Sequence, residues 1–207
     1  MSNSTALRAL PATRPAHRPS RRHELIAGAV ELFAVKPPES VTVQDLVQQV
    51  GLSSASFYYH FRSRDELLRV IVVDAARAWS RVAEKSWSDC ETTSDIVDVI
   101  PQLLDWATEN RQLATVLFVA ARGAPSPVER ARAAALARAA TAASDAIIRA
   151  HPRLCSGTAA FQGASLLAIL ETALVAELSL EPATFRALGP RRFRREVMDL
   201  SRRIVGD

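Results

Sequence analysis

TVQDLVQQVGLSSASFYYHF, residues 42–61, decides how this chain of 207 residues is read. Thr42 opens a helix, with Asp45 three residues on in an arrangement close to a capping box. Val43, Leu46, Val47 and Val50 form its inner face. Gly51 supplies the left-handed conformation that ends it. Ser53 then caps a short third helix through Tyr59. Two short helices joined by a tight glycine turn have the layout of a helix-turn-helix.

The flanks complete the unit. Ser20 caps a first helix to about Val35, with Leu25, Ile26, Ala29, Leu32 and Phe33 as its apolar stripe; Pro37 and Pro38 stop it. Ser63 and Glu66 form a further capping box and open a long fourth helix towards Trp87.

The rest predicts five more helices. Ser94 opens one near residue 95, with Pro101 as a kink or break. Gln112 to Arg122 is apolar all round and reads as a buried central helix. Ser126 and Pro127 start a helix to Ala150, which Pro152 ends. Ser156 opens another to about Leu178, ended by Pro182. The last starts at Pro190, with Phe193, Val197, Leu200 and Ile204 on one face. Alanine and leucine dominate and alternating β-branched runs are almost absent, so the fold class is all-α. Residues 1–19 read as a disordered basic arm, 20–66 as a three-helix DNA-binding domain, and 67–207 as a larger helical ligand-binding and dimerisation domain.

Composition narrows the function. At 48% hydrophobic and 23% charged the chain has the make-up of a globular protein with its own core. It shows no uncharged apolar stretch of ~18 residues, so no transmembrane span is expected. The N-terminal arginines are followed by no apolar region of a secretory signal. Cys90 and Cys155 lie far apart with no CxxC partner, which fits two reduced thiols in the cytoplasm.

The net charge of +4 gathers at the ends. Residues 1–22 carry Arg8, Arg14, Arg18, Arg21 and Arg22 and no acid, and arginine also crowds residues 186–203. Such ends attract phosphates or anionic lipid heads, and charge alone does not choose between them. A solvated face is the common explanation for the C-terminal arginines, and no membrane partner is expected. No HExxH, GxSxG, P-loop or dinucleotide fingerprint is present. His17, His23, His60 and His151 are scattered without a metal-ligand neighbour at helical spacing. Neither catalysis, a metal nor a cofactor is therefore expected.

The third helix carries the chemistry. Ser53, Ser54, Ala55 and Ser56 are small or hydroxylated residues at its N-terminal end, which let a helix sit deep in the major groove. Tyr58, Tyr59 and His60 follow with phosphate-donating groups, then Arg62 and Arg64 with charge. Phe57 and Phe61 read as core. The alternative is that the aromatic cluster only packs a three-helix unit.

Residues 20–71 resemble the DNA-binding domain of the TetR family of bacterial regulators. The matching pieces are Ala29 with Leu32 and Phe33, Thr42 and Val43 before Leu46, Val50 to Ser53, Ser56 to Phe61, and Ser63 to Leu68. The resemblance covers about a quarter of the chain. It implies a homodimer on double-stranded DNA of two-fold symmetry, and repression relieved by a small-molecule effector. Carried over by position, Thr42 is a phosphate contact, and Ser53, Ser54 and Ala55 face base edges. Ser56, Tyr58, Tyr59 and His60 hold the backbone, and Arg64, where the family usually has lysine, contacts phosphate. The family's glycine-aromatic turn is replaced by Lys36 to Ser40, and Ser54 and Ala55 stand for a longer polar residue and a glycine. Such short side chains reach few bases, which touches the operator sequence rather than the docking mode.

In the second half, Leu103, Trp106, Leu117, Phe118, Phe161 and Ser165 are candidate walls of an effector pocket, and its sparse charge suits an apolar ligand. Ala164, Leu167 and Leu174 on one helix and Phe193, Val197 and Leu200 on the next are candidate dimer contacts; the alternative is packing within one subunit. The arginines before the first helix enter an adjacent minor groove or form a solubilising tail. The function read from the sequence is a DNA-binding transcriptional regulator, a repressor released from a palindromic operator by a small apolar ligand. Control by a protein partner and non-specific architectural binding are the alternatives.

Overall fold

The computed structural model describes residues 20–124, 126–179 and 183–206, so the basic arm and Pro182 lie outside the described residues. The described part holds helices and no strand. The first four helices are α1 (Arg21–Val35), α2 (Val43–Val50), α3 (Ser54–His60) and α4 (Arg64–Ser88). A 3-10 turn at Pro38–Ser40 separates α1 from α2.

Their ends follow the capping chemistry of the sequence. Ser20 accepts from the His23 N–H. At α2 the capping box is complete: Asp45 N–H donates to Thr42 Oγ1 at 3.1 Å, and Asp45 Oδ2 accepts from Thr42 N–H at 2.8 Å. Gly51 closes the helix at φ 66°, where a Cβ would strain the backbone. Gly28 is needed for a different reason, since a Cβ there would collide with the Val50 side chain and push α2 off α1. The Ser63–Glu66 box is displaced by one residue. Ser63 accepts from Glu66 N–H, but the Glu66 carboxylate takes Arg62 N–H instead of the cap's own.

The larger half is built from α5 (Thr93–Glu109), α6 (Arg111–Thr115), α7 (Ser126–Ala150), α8 (Ser156–Ser179), α9 (Ala183–Leu188) and α10 (Pro190–Val205). Four points differ from the sequence reading. The α5 cap is Thr92, in a box with Asp95, rather than Ser94. Pro101 neither breaks nor interrupts α5. An internal proline costs about 3 kcal/mol, and burial of Ile100, Leu103 and Leu104 around it outweighs that at roughly 1.5–3 kcal/mol each. The apolar segment from residue 111 changes from α6 to a π-helical turn, Val116–Ala120. The short α9 has no periodic stripe long enough to announce it.

α4 packs along α7, and α7 along α8, and these three form the frame. Trp79 of α4 meets Phe118 of the π-turn edge-on at 5.1 Å. Trp87 donates to Ile96 O at 3.1 Å, and Arg149 of α7 donates to the Trp87 and Cys90 carbonyls at the end of α4. Arg194 of α10 binds Glu177 of α8 and both Asp105 and Thr108 of α5. Those carboxylates hold the guanidinium in its charged form beyond its usual range. Contrary to expectation, α8 is long and apolar enough by composition to cross a membrane. Alanine and leucine raise its hydropathy, but Leu166, Leu167, Leu170 and Leu174 are buried in this fold.

Candidate nucleic-acid interface

α3 is held from one side only. Phe57 is fully buried, and Phe61, at the helix end, is nearly so. Phe57 contacts the Tyr58 ring edge-on at 5.4 Å and the Phe61 ring at 5.9 Å. That anchor leaves the opposite face in solvent. Ser54 and Ala55 are exposed, Tyr58 is 58% exposed and Tyr59 is 85% exposed. Large aromatic rings are seldom left uncovered without a partner. The Tyr59 ring stands edge-on to His60 at 4.9 Å.

The hydroxyls are partly committed. Ser53 Oγ accepts from Ser56 N–H at 3.2 Å and keeps its own proton free to donate. Thr42 departs from its assigned role. Its backbone N–H and its hydroxyl both donate to Asp45 Oδ2, so the capping box uses the donors a phosphate would need. These bonds hold the Asp45 carboxyl below its usual range.

Arg64 also differs. Thr42, Ser63 and Arg64 do come together, lining a notch of about 300 Å3 between the N-termini of α2 and α4. Yet the Arg64 guanidinium faces inward: it donates to the carbonyls of Glu39 and Val41 and pairs with Asp65 at 2.8 Å. Sequence position alone assigned it to phosphate because it does not show which carbonyls the α1–α2 linker leaves unpaired.

Arg22 was missed as part of this surface. Its guanidinium lies over the Phe61 ring at 5.2 Å, which brings a cation from α1 to the end of α3. Placing Ser20 as the cap already puts Arg22 in the first turn of α1, and that was the available signal.

The candidate effector walls do not converge. Leu103, Leu117 and Phe118 are fully buried core and Trp106 is half-buried. Phe161 is 73% exposed, on the outer face of α8, and Ser165 Oγ donates to the Phe161 carbonyl of its own helix. Neither can line an interior with the others. Trp79, which the sequence reading did not single out, has a buried indole N–H with no hydrogen-bond partner, beside Phe118. The dimer candidates split in the same way. Leu174 is fully buried, and Leu167 and Val197 nearly so, because the packing of α8 on α7 and α10 uses them within one protomer. Ala164 is exposed, Phe193 half-buried and Leu200 45% exposed.

Comparison with known proteins agrees with this geometry. Residues 25–71 match the model described as bacterial regulatory proteins, tetR family. An HTH-type transcriptional repressor, KstR2 of Mycolicibacterium smegmatis, is 33% identical over 60 residues, covering 29% of each chain. The repressor Rv1474c of Mycobacterium tuberculosis is 29% identical over 69 residues, 33% of this chain and 37% of that one. These alignments span about a third of the relatives' length. The fold extends further. A regulatory protein of the tetR family from Rhodococcus RHA1 superposes with a TM-score of 0.70 at 16% identity, over 91% of this chain and 98% of that one. PfmR from Thermus thermophilus does so at 0.66 and 21% identity, over 87% and 96%. The likeness to bacterial regulatory proteins of the tetR family thus rests on residues 25–71 in sequence, and on the fold alone in the larger half.

Proposed function

We propose that the protein is a sequence-specific, DNA-binding transcriptional regulator that acts as a cytoplasmic homodimer, represses from a two-fold symmetric operator and is released by a small apolar effector. The observation that carries this reading is the one-sided anchoring of α3. Phe57 and Phe61 are buried, while Ser54, Ala55, Tyr58 and Tyr59 face solvent together. A helix so mounted can enter the major groove with its N-terminal residues at base edges and its tyrosines on phosphates. The names of the relatives, both transcriptional repressors, support the direction of control.

In this reading Ser53, Ser54 and Ala55 meet bases, and Ser56, Tyr58, Tyr59 and His60 meet the backbone. Thr42 and Arg64 shape the notch and act on phosphate only where Asp45 and Asp65 yield their bonds. The exposed face of α8, with Phe161 and Ala164, and Leu200 of α10 meet the same surfaces of a second copy. The effector enters beside the unpaired Trp79 N–H and shifts α4, which runs without a break from the notch into the larger half. Two recognition helices about 34 Å apart, or a multiple of it, then lose their match to successive major grooves.

Selection of bound sites from random duplex DNA tests the reading. An enriched palindrome with fixed half-site spacing is the expected result. Salt-sensitive binding with no enriched motif means an architectural binder, and absence of binding overturns the proposal.

A further inference from the structure

The end of α1 and the π-turn leave an open cleft of about 370 Å3 between them. Phe33, Val35 and Pro37 line it from the helix-turn-helix side, and Thr115 and Val119 from the other. Val35 is 77% exposed, the most exposed large aliphatic side chain among the described residues. Apolar side chains beside charged ones in a concave junction offer a small amphipathic ligand surface to bury. The far wall is a π-helical turn, a conformation frequent at functional sites.

The charges in this cleft are Lys36, Arg122 and Glu39. Neither cation has a side-chain hydrogen bond or ion pair among the described residues, and they act only through space, Lys36 on Asp45 and Arg122 on Glu129. Two cations against one carboxylate leave a single positive charge, which matches a monoanion better than a dianion. An arginine fork and an ammonium above an apolar wall suit a carboxylate with a hydrocarbon body.

We propose that this cleft binds a small apolar carboxylate, its head on Lys36 and Arg122 and its body against Val35, Pro37 and Val119. Such an occupant touches both halves of the molecule. It therefore favours whichever arrangement of the two it fits, as differential binding requires. The lining includes neither Trp79 nor any residue of α3, although Phe118, on which Trp79 packs, precedes Val119 in the same π-turn.

Calorimetric titration of the full chain with decanoate, without DNA, tests it. One saturable site is expected. Arg122→Gln weakens it about tenfold, the loss of one charge-assisted hydrogen bond. Glu39→Gln tightens it, because a repelling carboxylate is gone. Decanol, with the same body and no charge, binds at least about tenfold more weakly. Both side chains are exposed, so the variants keep the fold, which circular dichroism checks. No saturable decanoate heat, equal affinity in Arg122→Gln, or equal binding of decanol overturns the proposal.

Discussion

Arg64 donates through Nη1 to the carbonyl oxygen of Val41 at 3.1 Å, and so fastens the α1–α2 linker to the first turn of α4. The same nitrogen reaches Glu39 O at 3.3 Å, while Nε and Nη2 hold Asp65. Arg64→Ala strands the part-buried Val41 carbonyl, while water reaches the exposed Glu39 one. Stability should fall by about 1–3 kcal/mol, the cost of leaving such groups unpaired, read as a lower urea midpoint with unchanged slope. Arg64→Lys keeps the charge and loses the fork, so it should fall between. Weaker DNA binding with undiminished stability would instead return Arg64 to phosphate.

The tyrosines and serines of α3 separate by what they change. Tyr58→Phe and Tyr59→Phe each remove one exposed donor. Affinity should drop by a similar factor on every DNA sequence, since phosphates carry no sequence information. Substituting Ser54 should alter preference among sequences. A binding panel over single-base variants of the selected site distinguishes the two patterns.

The arm, residues 1–19, adds Arg8, Arg14 and Arg18 to the basic side of the chain. Deleting it should weaken DNA binding and flatten the dependence of log K on log salt by about 0.9 for each phosphate the arm had neutralised. Equal slopes in the two proteins would leave the arm without a DNA role.

Hydrogen-bonded carboxylates should contribute to the acid sensitivity of the fold. Asp45 and Asp95 are held below their ordinary value of 3.8 by hydrogen bonds from Thr42 and Thr92, and Glu129 below 4.5 by Arg132. A carboxyl whose pKa is depressed by folding contributes stability above its unfolded value and loses it as pH falls through the folded one. Stability should thus be flat from neutral pH down to about 5 and decline below about 4. The double variant Asp45→Asn and Asp95→Asn should start lower at pH 7 and decline less steeply, as urea midpoints against pH will show.

Phe161→Asp and Leu200→Asp replace exposed apolar groups on α8 and α10. Each should leave the helical content intact while sedimentation velocity reports a monomer. A dimer that survives both changes would place the interface on another face.

The helix-turn-helix was legible because its determinants are local. Ser20, Thr42, Gly51, Ser53 and Ser63 act on backbone groups within a few residues, and the structure caps each helix where those residues stand. Phe57 and Phe61, read as core, are buried, the first within α3 and the second at its extended C-cap. Leu174 and Leu200 show where such reasoning stops. Both sit on an apolar face, yet one is fully buried inside the protomer and the other is 45% exposed.

Sequence by itself determined the all-helical class, the position of the short third helix and the resemblance of residues 25–71 to the tetR family, since capping, periodicity and glycine conformation depend on near neighbours. Tertiary structure decided which partners the polar groups choose. It turned Arg64 onto the Val41 carbonyl, left the Trp79 N–H unpaired and opened the cleft beside Val35. Most of those outcomes depend on helices far apart in the chain meeting at particular angles, and no periodicity within one segment records where another will lie.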